Sequence, residues 1–203
     1  MKIYKFGGAS VKNAERIRHL KDIILREQED LVIVVSAMGK TTNSLEEFTQ
    51  MLYPDAPYED LDYNCLYDQV VSTGELQSSR IVSAYLEHAG IPNHWLDATQ
   101  LIRTDHHFRE AKVDMSVSQR LLSACLQAHP AHIYVTQGFI GGTEDGLRTT
   151  LGREGSDYTA AVLGNLLNAT SVTLWKDVAG VYSQDPRKVK DAVLFRHLTY
   201  DEA

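Results

Sequence analysis

Apolar residues along the chain recur in two rhythms, and the way these alternate predicts the architecture. Lys2 to Phe6 alternates and is rich in strand-forming residues, whereas from Asn13 onward Ala14, Ile17, Leu20 and Ile24 recur at helical spacing. "LVIVVS" (Leu31 to Ser36) is a continuous apolar run, as in a strand buried on both faces. Helical patterns follow from Ser44 to Leu52 and from Tyr63 to Leu86. The second carries Val82, Tyr85, Leu86 and Ala89 on one face, then stops at Gly90 and Pro92. "NHWLDA" predicts a strand, and Val117, Leu121, Ala124 and Cys125 mark another helix. "HIYVTQ" (His132 to Gln137) is a further buried strand, and "FIGGTEDGLRTTLG" a hairpin turning at Glu144, Asp145 and Gly146. A helix opens in "SDYTAAVLGNLL" with Ser156 or Asp157 as its cap, and "SVTLW" is one more strand. "YPDAPYED" (Tyr53 to Asp60) is the one linker-like stretch, expected as a surface loop within a single domain.

Strands and helices in this order predict an α/β fold. Its open, mostly parallel sheet should be covered by helices on both faces, and such sheets bind ligands at the carboxyl ends of their strands. Composition agrees with a globular chain: no run approaches the ~20 apolar residues of a membrane span, and the N-terminus enters a strand without an apolar signal region. Cys65 and Cys125, the only cysteines, fall in apolar helical surroundings and are expected as reduced, buried thiols of a cytoplasmic protein. A net charge of −7 argues against a nucleic-acid surface but leaves room for a local cationic site for a small anion. The eight histidines show no metal spacing; His106 and His107 are adjacent, and His129 and His132 flank Pro130 in a turn.

Chemistry concentrates where the predicted strands end. "KFGGAS" (Lys5 to Ser10) is a strand-to-helix turn whose paired glycines let backbone amides approach a phosphate; the alternative is a plain tight connection. Gly39-Lys40-Thr41 imitates the end of a P-loop, but the required earlier glycine is Val34, inside the strand, which argues against a Walker A site. Ser36 remains a hydroxyl at a strand's carboxyl end. In "LGREGSDYTAA", Arg153 offers a fork for a carboxylate or phosphate, and Asp157 either caps the helix or holds a neighbouring lysine. "WKDVAGVYSQDPRKV" gathers Lys176, Asp177, Tyr182, Asp185 and Arg187 into one loop. Glu75, after Gly74 at a helix start, either complements the helix dipole or, if buried against a pocket, receives an ammonium group.

Taken in order, "KFGGAS", "VVSAMGKTTN", "TGE", "GFIGG", "TTLGREGSDYTA" and "KDVAGVYSQDPR" closely resemble the aspartokinases of the amino-acid kinase family, from Lys5 to Arg187. The resemblance implies a three-layer αβα sandwich. It also implies an enzyme that uses ATP and magnesium to phosphorylate the side-chain carboxylate of L-aspartate, the first step toward lysine, threonine and methionine. By the same resemblance Lys5 stabilises the transferring phosphoryl, and Asp157 orients that lysine. Ser36, Thr42, Glu75, Arg153 and Ser156 bind aspartate, with Glu75 on its α-ammonium and Arg153 on a carboxylate. Phe6, Gly7, Gly8 and Ser10, together with Lys5, Lys176, Asp177, Tyr182 and Arg187, hold the nucleotide, and no residue is assigned to a metal. Glutamate, acetylglutamate and uridylate kinases share the fold and are the alternative enzymes; a non-catalytic nucleotide-binding module is the alternative of another class.

The sequence departs from the family pattern in several places. Ala9 stands where a threonine is usual, Glu154 replaces the second glycine of "GRGGSD", and Lys176 stands where many relatives have threonine. The chain stops at "LTYDEA", inside an expected helix, short of a segment whose lysine contacts ATP and of two ACT-type regulatory domains. Residues 1–203 therefore read as a catalytic domain truncated at its C-terminal end. The expectation is an N-terminal piece of a homo-oligomeric enzyme, with weak or no activity and no feedback inhibition of its own. Exposed apolar surface is expected to favour self-association.

Overall fold

The computed structural model describes residues 1–54 and 60–202, so most of the expected Tyr53–Asp60 loop lies outside the described residues. Strand β1 (Lys2–Phe6) is followed by a 3-10 turn (Gly8–Ser10) and helix α1 (Ala14–Ile24), which Asn13 caps by accepting the Arg16 N–H. Next come β2 (Leu31–Val35), α2 (Thr41–Leu52), α3 (Leu61–Val71), α4 (Thr73–His88) and β3 (His94–Trp95). They lead to α5 (Ala98–Leu101), α6 (Met115–Ala128), β4 (Ile133–Gln137) and the antiparallel hairpin β5 (Ile140–Gly142) and β6 (Arg148–Thr150). Helix α7 (Gly155–Leu166) and strand β7 (Ser171–Trp175) follow, and beyond β7 the described residues end with a 3-10 turn at Tyr200–Glu202.

Five strands form one sheet in the order β3-β4-β2-β1-β7, every neighbouring pair parallel. Side chains alternate between two apolar layers, as the pleat requires. Ile3, Val32, Val34 and Tyr134 pack with α5, α6 and α7 on one face. Phe6, Leu31, Ile33, Val35 and Val135 pack with α1 and α4 on the other. The result is an αβα sandwich. β2 and β4 are buried at every position, which is why their sequences are continuous apolar runs rather than alternating ones.

Register places the functional edge. Phe6 stands opposite Val35 and Trp175, and Val35 opposite Gln137, so β1, β2, β4 and β7 end in one row. The turns after them (Gly7 to Ser10, Ser36 to Lys40, Gly138 to Phe139, Lys176 to Asp177) emerge side by side, and α2, α3 and the hairpin stand over them.

Several expectations need correction. The helix expected from Tyr63 to Leu86 is two helices divided at Ser72. The hydroxyls of Ser72 and Thr73 bond back to the carbonyls of Gln69 and Val70, competing with the helical ladder just before Gly74. α2 starts at Thr41, three residues before the expected Ser44, because the turn at Met38 to Thr41 already satisfies its first amide. The "NHWLDA" strand is reduced to two residues at the sheet's edge, and the helix expected at the chain end is a single 3-10 turn. Cys65 and Cys125 are free thiols but only half-buried, since each lies at the flank of its helix's apolar face.

Candidate active site

The turn after β1 interlocks with the turn after β2. Gly7 is extended, Ser10 donates its N–H to Gly7 O at 2.8 Å, and Gly39 donates to Gly8 O at 3.0 Å. A Cβ on Gly8 would sit 2.7 Å from Ala37 O and 2.9 Å from Gly39 O, so only glycine lets these two backbones approach. The Gly-Gly pair thus serves close packing of two loops at the sheet's ligand edge.

Lys5, on the α7 face of β1, is buried, and its Nζ lies 2.6 Å from Asp157 Oδ1. Lys176, just past β7, donates to the other oxygen of the same carboxylate at 2.8 Å. One aspartate therefore holds two ammonium groups from adjacent strands. Burial acts to raise the Asp157 pKa, but the hydrogen bonds from Lys176 and Lys5 outweigh it and hold the carboxyl below its ordinary value. Neither Ser156 nor Asp157 is the helix cap. α7 begins at Gly155, capped without a side-chain bond by Glu154, whose φ of +55° is left-handed. Asp157 lies in the first turn rather than at the cap position, and its carboxylate turns to the lysines.

Glu75, in the first turn of α4, is 3% exposed. Its Oε1 accepts the Ala37 N–H at 3.2 Å, while Oε2 is buried with no partner. Burial pushes this carboxyl up to about 7, and the Ala37 amide, its own amide and the nearby Thr42 hydroxyl only partly offset that. An orphaned buried carboxylate oxygen is costly, and a cation in the adjacent space would relieve it.

Lys5, Gly8, Ser36, Thr42, Glu75, Arg153 and Ser156 all line one cleft of 590 Å³. Gly7 adjoins it, a Cβ there falling 3.7 Å from Lys5 Nζ. Phe6, Ser10, Lys176 and Asp177 instead line a separate 120 Å³ pocket beside α1, floored by Trp175, which stacks on Phe6 at 6.0 Å. Tyr182 and Arg187 line neither cavity. Tyr182 is bridged to Leu194, and the exposed Arg187 pairs with Asp185 at 3.2 Å.

Sequence reasoning missed one wall of the cleft: Glu46, Tyr67, Arg109, Phe139 and Thr150. Tyr67 donates its hydroxyl to Glu46, and the Arg109 guanidinium lies 4.3 Å over the Tyr67 ring. Among the described residues four non-glycines have positive φ: Arg109, Phe139, Glu154 and Asn168. The first three all line this cleft, so backbone strain gathers there. No sequence signal marks a left-handed arginine.

The chain matches the amino acid kinase family over residues 1–203. It belongs to the amino acid kinase family. Within that family it is similar to the bifunctional aspartokinase/homoserine dehydrogenase 2 of Escherichia coli (strain K12), with 34% identity over 99% of this chain and 30% of that protein. It also resembles the crystal structure of E. coli aspartokinase III in complex with lysine and aspartate, at TM-score 0.81 and 31% identity over 96% of this chain and 53% of that one. The same enzyme in complex with aspartate and ADP matches at TM-score 0.80 and 30% identity, again over 96% and 53%. The chain thus spans about a third to a half of the length of these relatives.

Proposed function

We propose that this chain carries the phosphoryl-transfer site of an aspartate kinase, moving the γ-phosphoryl of ATP to the side-chain carboxylate of L-aspartate. The observation that carries the reading is a single cleft lined together by Lys5, which Asp157 holds, by Arg153, and by Glu75 with its unpartnered carboxylate oxygen. Those groups complement the three charges of L-aspartate, an α-ammonium and two carboxylates. The similarity to enzymes solved with aspartate and ADP points the same way.

The attacking carboxylate, with an ordinary pKa of about 3.9, is ionised at neutral pH and needs no general base. The obstacle is repulsion between two anions, which fixed cations and amides at the reacting centre offset. Lys5, buried and aimed by Asp157, supplies charge where the phosphoryl group passes. Arg153 receives a substrate carboxylate, Glu75 the ammonium, and Ser36, Thr42 and Ser156 line the space between. The amides of Gly7 and Gly8 face the phosphates, and Lys176, Asp177, Phe6 and Ser10 form the nucleotide side, while Tyr182 and Arg187 stand outside both cavities in the loop that follows. Among the described residues no three His, Cys, Asp or Glu side chains form a metal cage. Magnesium, on this reading, would come with the nucleotide's phosphates, whose charge it neutralises.

Among the described residues no helix is long and apolar enough to cross a membrane. The free thiols suit a reducing cytoplasm. Calorimetric titration of the chain with L-aspartate and with Mg-ATP tests the reading. Heat from both ligands is expected; a chain that takes up neither does not have this function.

A further inference from the structure

Behind the missed wall lies a carboxylate that phosphoryl transfer does not use. Asp68, on α3, is fully buried. Its Oδ2 accepts the N–H of Arg109 at 2.9 Å and that of Thr150 at 2.8 Å, and its Oδ1 accepts the Thr150 hydroxyl at 2.7 Å. Three donors from two separate segments converge on one side chain. A carboxylate with no donors would not survive as a charge in such a place. Even with them, burial pushes this one up to about 6, against the Arg109 and Thr150 hydrogen bonds and the charge of Arg109.

What those bonds hold is the cleft wall. Arg109 is left-handed at φ +72°, a conformation a side-chain-bearing residue keeps only when its surroundings enforce it. Its guanidinium covers the ring of Tyr67, the residue before Asp68, and Tyr67 reaches across to Glu46 on α2. Thr150 ends β6; two residues later Gly152, at φ +76°, turns the chain into Arg153. Tyr67, Arg109, Thr150 and Arg153 line the cleft, and Asp68 does not.

We propose that Asp68 is a positioning residue: from outside the cleft it pins the Arg109 turn and the end of β6, and through them sets where Arg153 meets a substrate carboxylate. This rests on the reading of the cleft as an aspartate site. The nucleotide side is built on β1, β7 and the turns after them, to which Asp68 makes no hydrogen bond, so the two ligands should respond differently to its loss.

The test uses Asp68→Asn in the whole chain, with Thr150→Val and Thr150→Ser as milder partners. L-aspartate and Mg-ADP are titrated by calorimetry, and backbone amides are followed by hydrogen–deuterium exchange. Asp68→Asn is expected to weaken L-aspartate ~10–100-fold, the scale of a small misplacement of a binding group, and to leave Mg-ADP binding unchanged. The Arg109 and Thr150 amides should lose protection while that of Ala37, held by Glu75, keeps it. Thr150→Val should lose aspartate affinity in the same direction but less, and Thr150→Ser should recover it. Equal losses for both ligands would mark a general structural role and overturn the inference, as would unchanged aspartate affinity beside exposed amides. A wild-type chain that bound Mg-ADP but no aspartate would sink the aspartate reading. The exchange data would then decide the rest, full protection of Arg109 in Asp68→Asn overturning the pin.

Discussion

At the scale of single residues the site is a set of buried charges whose costs are met by specific partners or left for a ligand to meet. Glu75 is the clearest case, because its folded pKa of about 7 exceeds the ordinary 4.5. A carboxyl raised on folding binds its proton more tightly in the native state. It therefore costs nothing below about pH 4.5, and its ionisation opposes folding increasingly up to about pH 7. Glu75→Gln should accordingly be more stable than wild type above pH 7, by on the order of 3 kcal/mol, with the gap closing toward pH 4. Urea unfolding across that range measures it, and a gap that widened on acidification would reverse the assignment. Binding has the opposite sense, since the ammonium of aspartate needs the ionised form. L-aspartate should bind about tenfold more weakly at pH 6 than at pH 8, and Glu75→Gln should flatten that profile. For Lys5→Ala, the loss of one preorganised cation should remove ~3–4 kcal/mol of transition-state stabilisation. Single-turnover formation of the acyl phosphate, trapped with hydroxylamine, reads this; near-normal turnover would remove Lys5 from the chemistry.

Elements place these residues by where they begin and end. β1, β2, β4 and β7 finish level, and glycine lets their turns touch. Gly8→Ala would drive a methyl into the carbonyls of Ala37 and Gly39, backbone atoms that cannot step aside cheaply. A loss of ~1–3 kcal/mol in denaturant unfolding is expected, together with weaker Mg-ATP binding. Unaltered stability would mean that the two turns can part without cost. Much of this scale was legible in the sequence: the buried runs of β2 and β4, the helical rhythm from Ala14 to Ile24, the Gly90 stop, and the hairpin turn at Gly146. The division at Ser72 was not, because Val71 and Val82 continue one helical rhythm across hydroxyls whose bonding depends on the folded backbone. The start of α7 was hidden for a related reason. Asp157 has the character of a cap, but a left-handed Glu154 occupies the cap position and leaves the carboxylate to the lysines.

Over the molecule as a whole, the five-stranded sheet ends in two edge strands, the two-residue β3 and the longer β7. β7 pairs with β1, and among the described residues no strand covers its outer edge, where Val172 and Leu174 are 42% and 43% exposed. Val181, Val193 and Phe195 add apolar surface in the segment beyond it. An apolar edge strand with free backbone groups is a template for association. Sedimentation velocity should therefore show concentration-dependent self-association of this chain, reduced by Leu174→Lys. A monomer at all concentrations would show that the edge is protected.

What the sequence determined alone is the order of strands and helices, the sheet edge where the candidate site residues gather, and the chemical inventory of that edge. All of these follow from periodicity, turn residues and residue type, which are local properties. Only the tertiary structure decided that Asp157 serves two lysines, that Glu75 keeps an oxygen unpartnered, and that Asp68 holds a wall built on a left-handed arginine. Burial, hydrogen bonding between distant segments and backbone strain arise from the packing of elements against one another, and no window of the chain contains them.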